Sequence, residues 1–406
     1  MSWPIKLVLL SAMLLLQSCA AGRSSLGPDD LQLAMAAKPR DPEVRFRPFP
    51  PGEGSDDAEL ARVLPDATWD AGLDAAAHAV LGAIVDQRAR LSTATTSAAA
   101  ARAGYPGQAR FLRLLNGGAF PHVLVEAIQT QAIGTPIDVG LARRTFGDGH
   151  VLWVIGWSAR KADVDPLPRN IKLDDALPVR VTTDHPGRLR LFVTPPGGPV
   201  EELAISAEAA RWVDVFHTPG EYRLEVVGER PNNSVVLLLF SVYVDAEPEP
   251  VPRLAWHPRS PPDPLLAEER LYEALNEARR DHGLPAVHPF DMFRSVVREH
   301  SAYMASAGHL GHTLEGLTTG VPDRAAKVGH PQAEFYENVA VALTPDDAHA
   351  LVSDSPGHFR NLLCETCTHV TIGVALEPVL GRDPRLFVTW ELMRFPEGMP
   401  RPIPNR

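Results

Sequence analysis

Ser355-Pro356-Gly357-His358, taken with Tyr336-Glu337-Asn338-Val339-Ala340 and Gly311-His312-Thr313, is the part of this chain from which the rest is understood. Imidazole and carboxylate are the side chains that move protons near neutral pH and ligate borderline metals. They fall in a stretch, 265–396, of about one domain's length. Leu271, Leu275 and Ala278 repeat at helical spacing, and the run stops at Gly283, a glycine C-cap. Phe293 to Ala307 predicts a second amphipathic helix, on whose apolar face His300 reads as a core histidine. His309 reads as solvated loop. Cys364-Glu365-Thr366-Cys367 precedes the strand-like Thr371-Ile372-Gly373-Val374-Ala375-Leu376 and most simply closes a small disulfide loop. A redox motif would instead want its first cysteine at a helix N-terminus.

The order Leu275 to Pro285, His300-Ser301-Ala302-Tyr303-Met304, His312-Thr313, Glu337-Asn338-Val339-Ala340, then Ser355-Pro356-Gly357-His358 with Asn361-Leu362-Leu363, resembles the CAP superfamily in its bacterial form. This is the family of cysteine-rich secretory proteins, antigen 5 and plant pathogenesis-related proteins. The resemblance implies an α-β-α sandwich with an open cleft, lined by two histidines and two acids that in some members hold a divalent metal. His312, Glu337 and His358 match three of the four, with Asn338 beside them. The second acid has no counterpart; Asp346, Asp347 and Asp354 are only nearby. Val352 stands where an aromatic is usual, Tyr336 where a glycine is, and Arg360 is displaced by Phe359. Two imidazoles and a carboxylate also make up the ligand set of an open zinc site. No nucleophile with a placed base is evident, so binding is expected over catalysis.

Upstream, the character of the chain changes by segment. Residues 61–172 carry helical patterns, including 73–84 with Asp70 placed to cap it, and an Ala-rich run ending before Gly104. Strand-like Val139-Gly140-Leu141-Ala142 and His150 to Trp157 flank Gly147-Asp148-Gly149. They parallel Ile372-Gly373-Val374-Ala375 and Arg385 to Trp390, as a decayed copy of one fold would, or by chance likeness of two hairpins. His78 and His150 read as surface residues. Residues 173–247 show short alternating runs split by turns, indicating a β-sandwich. Pro219-Gly220-Glu221-Tyr222 resembles the tyrosine corner of immunoglobulin-like folds. Residues 248–264 are a Pro-rich linker, and 397–406 a tail. The fold class is therefore multi-domain α+β: a small N-terminal α+β domain, a central immunoglobulin-like sandwich and a C-terminal α-β-α sandwich.

At 406 residues the chain has room for two to three domains. Its net charge of −11 argues against nucleic-acid binding. Residues 1–18 read as a signal peptide, with Lys6 before the short apolar core Leu7 to Leu16. Leu16-Gln17-Ser18-Cys19 resembles a bacterial lipobox; an ordinary secretory cut at Ala20-Ala21 is the other reading. A lipidated Cys19 would anchor the chain to a membrane, and residues 19–60, rich in Pro and Gly, would be its tether. The sum is a cell-envelope lipoprotein, periplasmic or extracellular. Its cleft would bind a small, apolar or cell-wall-derived ligand or a surface protein, with a divalent metal such as zinc as the expected cofactor. A metal-dependent envelope hydrolase using His312, Glu337 and His358 is the alternative.

Overall fold

The computed structural model describes residues 43–52, 54–86, 91–132, 134–230, 233–248, 263–314, 320–327, 333–377 and 384–396. The expected signal peptide, Cys19, most of the linker and the tail lie outside them. Among the described residues no helix is long and apolar enough to cross a membrane.

The N-terminal unit runs α1 (Ser55–Val63), β1 (Ala67–Trp69), α2 (Ala71–Val85), α3 (Thr93–Ala103), β2 (Arg110–Asn116), α4 (His122–Gln131), β3 (Ile137–Thr145) and β4 (Val151–Ala159). Asp70 caps α2 as expected, its carboxylate accepting from the amides of Gly72 and Leu73, a contact worth about 1 kcal/mol. Gly104, in the left-handed region, ends α3. The sheet order is β1-β3-β4-β2, with β1 parallel to β3 and the other pairs antiparallel. Both tight turn glycines and apolar alternation thus act where the sequence places them.

In the central unit, β5 (Asn170–Ile171), β6 (Arg188–Thr194), β7 (Glu201–Ile205), β8 (Gly220–Arg230) and β9 (Asn233–Val244) form one sheet in the order β7-β6-β8-β9-β5. Separate two-stranded pairs, Leu177–Val179 with Arg211–Val213 and Asp163–Val164 with Val181–Thr182, accompany it. Leu191, Val193, Tyr222, Leu224 and Val226 turn to a common core. The period of two then sends Phe192, Arg223 and Glu225 to the opposite face. The Tyr222 hydroxyl accepts from the Thr218 amide at 3.0 Å, back across the preceding turn.

The C-terminal unit contains α5 (Pro264–Asp281), β10 (His288–Pro289), α6 (Arg294–Ala307), α7 (Val321–Lys327), β11 (Glu334–Ala342), α8 (Pro345–Ser353), α9 (Pro356–Leu362), β12 (His369–Leu376) and β13 (Leu386–Arg394). Its sheet order, β10-β12-β13-β11, again has a parallel edge pair and antiparallel partners. The arrangement repeats that of the N-terminal sheet strand for strand. Along β13, Val388, Trp390 and Leu392 join α5, α8 and α9 in one core. Phe387 and Met393 face the other way, into clusters with Met304 and Val297 of α6. Helices therefore cover both faces of the sheet. Cys364 and Cys367 form a disulfide in the turn before β12.

Candidate functional site

β11 is an edge strand, and its alternation decides what each residue can reach. Glu337 points to the α6 face, whereas Asn338 points to the face covered by α9. His312, in the loop after α6, sets Nδ1 at 2.7 Å from Glu337 Oε1, with its own side chain 60% exposed. His358, in the first turn of α9, lies on the other side of the strand, where His312 is close enough to lower its basicity. Neighbouring residues of one edge strand, Glu337 and Asn338, thus hold the two histidines, the first at its ring and the second at its carbonyl.

Behind His312 lies a buried ionic cluster. Arg324 of α7 donates to both Glu337 and Glu391, the latter at 3.2 Å, and to the His312 carbonyl at 3.0 Å. Glu391 sits directly opposite Glu337 on β13. Burial raises the Glu391 carboxyl well above the usual range, and the neighbouring Glu337 charge adds to this. Burial works against Glu337 too, yet bonds from His312 and Glu391 and the Arg324 charge hold it below its ordinary value. Two carboxyls this close cannot both ionise cheaply, so the pair holds one proton on Glu391 and one negative charge on Glu337. His300 is buried against this cluster, its Nε2 at 3.8 Å from Glu337 Oε2. It is a core histidine, but neither ring nitrogen makes a hydrogen bond. Burial and then the Arg324 charge depress it to about 4.

The partners of these side chains bear on the expected ligand set. Glu337 does not fit as a metal ligand, because its oxygens are taken by His312 and Arg324. Among the described residues no three His, Cys, Asp or Glu groups are placed to hold one ion. Asn338 is fully buried, donating to the His358 carbonyl at 2.9 Å and accepting from Asn361 at 2.9 Å. It fixes the turn that carries His358 instead of meeting a ligand. Asp354 and Asp346 are committed to Arg223 and Arg270, so neither supplies the second acid. His309 is exposed, and His369 is buried edge-on against Phe290 and Phe395.

The acids that do approach the site are Glu391 and, from the central sheet, Glu225. Glu225 is fully buried; its Oε1 accepts from the Ser355 hydroxyl and its Oε2 from the Gly357 amide, both at 2.6 Å. Ser355 Oγ lies 2.7 Å from His358 Nδ1. A β-carbon on Gly357 would come within 2.9 Å of Glu225 Oε2, so any larger residue there would push the carboxylate end aside. Burial raises Glu225 to about 7, against the two bonds that favour its charge. Burial, then the His312 charge, lowers His358 to about 4. His358 is therefore neutral at physiological pH.

Beside His358 and Ser355 opens a half-open cavity of about 590 Å³, in the size range of small-molecule sites. All three units wall it: Phe111 from the first, Phe240 from the second, and Leu310, Val339 and Leu351 from the third. The resemblance implies an open cleft at His358, but not walls from the first two units, because these meet it only through long-range docking.

Residues 272–389 match the model of the cysteine-rich secretory protein family, CAP. No curated protein matches the chain. Among solved structures, the chain is similar to an outer surface protein from Borrelia burgdorferi, at 20% identity over 32% of this chain and 94% of that one, TM-score 0.28. An extracellular protein containing an SCP domain from Bacillus anthracis shares 14% identity over 59% and 87%, TM-score 0.29. A cysteine-rich secretory protein from Staphylococcus aureus shares 13% over 67% and 92%, TM-score 0.26.

Proposed function

From the premise of a C-terminal CAP domain, we propose that the chain is an exported bacterial cell-envelope lipoprotein that binds a small amphipathic ligand. Anchoring would run through lipidated Cys19. The carrying observation is the cavity of mixed lining that opens at His358, where Phe111, Phe240 and Leu351 stand with Arg223, Asp354 and a neutral imidazole. The ligand lays its apolar body along Phe111, Phe240 and Leu351 and offers a hydrogen-bond donor to the imidazole. Burying such a body is worth about 25 cal/mol per Å², while one oriented donor supplies specificity. In this reading the central sheet is an immunoglobulin-like support. The N-terminal unit is a second copy of the C-terminal fold without the site. The register favours that view: Val139 pairs with Trp157 as Ile372 pairs with Trp390, which sets Ser158 in the place of Glu391 and Ala109 in that of Glu337.

The test uses the full chain and a dansyl-labelled dodecanol. Saturable binding that weakens at least tenfold, about 1.4 kcal/mol, in His358→Ala supports the reading; no saturable binding, or binding indifferent to His358, overturns it. Incorporation of labelled palmitate that is lost in Cys19→Ala supports the anchor, and incorporation unchanged in that variant overturns it.

A further inference from the structure

We infer that Glu225, from the central sheet, is the missing second acid of the CAP cleft and that it sets which ring nitrogen of His358 carries the proton. The inference deepens the binding reading above, since it concerns the same imidazole.

A serine hydroxyl has one proton to give and lone pairs to receive with. Ser355 Oγ stands 2.6 Å from a carboxylate oxygen and 2.7 Å from His358 Nδ1. An ionised carboxylate only accepts, so the hydroxyl proton points at Glu225 and the hydroxyl oxygen faces His358. His358 must then hold its proton on Nδ1, which leaves Nε2 bare as an acceptor. The Gly357 amide fixes the other carboxylate oxygen at 2.6 Å and so prevents the carboxylate from turning away. Ser355 opens α9, yet its side chain makes no capping bond to the helix; its hydroxyl is committed to the relay. His312 is oriented in the same way, with Nδ1 against Glu337. His358 lines the cavity and is backed by a carboxylate through a hydroxyl, while His312, outside that lining, is backed by one directly. Orientation of this kind by an outer partner is what fixes the tautomer of functional histidines. The ligand that such a site takes is a donor: a hydroxyl, an amine or an amide N–H. Glu225 acts through Ser355 and is a positioning residue.

The replacement Glu225→Gln gives a sharp test. Glutamine offers one acceptor and one donor group, and the Gly357 amide demands the acceptor. The amide NH₂ then faces Ser355, the hydroxyl must donate to His358 Nδ1, and the imidazole proton moves to Nε2. Nitrogen chemical shifts of the His358 ring, recorded at about pH 8.5 so that the carboxyl is ionised, are expected to show the Nδ1–H form in the unaltered chain and the Nε2–H form in Glu225→Gln. Ser355→Ala, a small change that removes the relay, is expected to give the Nε2–H form as well and serves if Glu225→Gln fails to fold. Dansyl-labelled dodecanol is expected to bind Glu225→Gln at least tenfold more weakly. A ring protonated on Nε2 in the unaltered chain, or a tautomer unchanged in both variants, overturns the inference. If the probe binds none of the proteins while the tautomer still switches, the relay stands and the proposed ligand class falls.

Discussion

Gly140 and Gly373 hold the same place in two sheets of the same order. A β-carbon on Gly140 would stand 2.2 Å from the Asp74 amide nitrogen in α2, and one on Gly373 2.6 Å from that of Arg298 in α6. Each strand lies against a helix backbone with no room for a methyl group, and neither contact is with a flexible side chain. Gly373→Ala and Gly140→Ala are expected to lower stability by about 3 kcal/mol or more, since overpacking of a rigid core costs about 1–3 kcal/mol even where neighbours give. Urea midpoints measure this; a change below about 0.5 kcal/mol in both would show that helix and sheet can part freely.

Arg324 is the cation that makes the Glu337–Glu391 pair tolerable in a dry interior. Arg324→Met leaves the buried carboxylate without its charge partner, and losses of about 3–5 kcal/mol are usual for that. The double change Arg324→Met with Glu337→Gln is expected to recover part of the loss. Chemical denaturation of the single and double variants checks it, and an additive result would separate the two residues.

Two histidines each make the fold lose stability in acid. His300 and His358 are held near 4 in the fold, first by burial, against about 6.5 in the unfolded chain. The unfolded chain therefore takes up protons first. The stability present above about pH 6.5 is lost as pH falls toward 4, by on the order of 3 kcal/mol for each ring. Glu225, raised to about 7 by burial, acts in the opposite sense: its contribution is full below about 4.5 and is lost as pH rises through 7, by a similar amount. The buried Glu391, also raised by burial, acts in the same sense as Glu225, so the slope of the unaltered chain is a balance of these groups and a variant isolates each ring. His300→Leu is expected to lose less stability than the unaltered chain between about pH 7.5 and 4.5, and paired denaturation curves over that range decide.

The Cys364–Cys367 disulfide closes a very short loop, so its effect on the unfolded chain is limited to about 2 kcal/mol. Replacing both cysteines by serine should leave a folded protein of reduced stability. Failure to fold would mean that the turn before β12 depends on the bond.

Much of this architecture can be read locally. Asp70, Gly104 and Gly283 punctuate helices because caps and left-handed turns depend on neighbours in sequence. His312, Glu337 and His358 stand in short motifs, and the structure brings them to one sheet edge. Glu391, Arg324 and Glu225 escape such reading. Glu391 sits in an otherwise ordinary strand, and its burial follows only from pairing with Glu337, 54 positions earlier, as β11 aligns with β13. Glu225 lies at the middle of an alternating run whose polar face looks like a solvated one. Nothing in the run says that α9, 131 residues further on, covers it. Asn338 misleads in the opposite direction, since a polar residue beside a functional acid invites a ligand role that full burial denies.

The cavity at the three-way junction is bounded by elements that share no strand and no helix across its mouth. Its walls are stitched from unit to unit all the same, by Glu225 to the Ser355 hydroxyl and the Gly357 amide and by Arg223 to Asp354, while every sheet keeps its own hydrogen bonds. An occupant of that space would touch all three units at once, so it would act as a mortar between them without touching the chain's secondary structure.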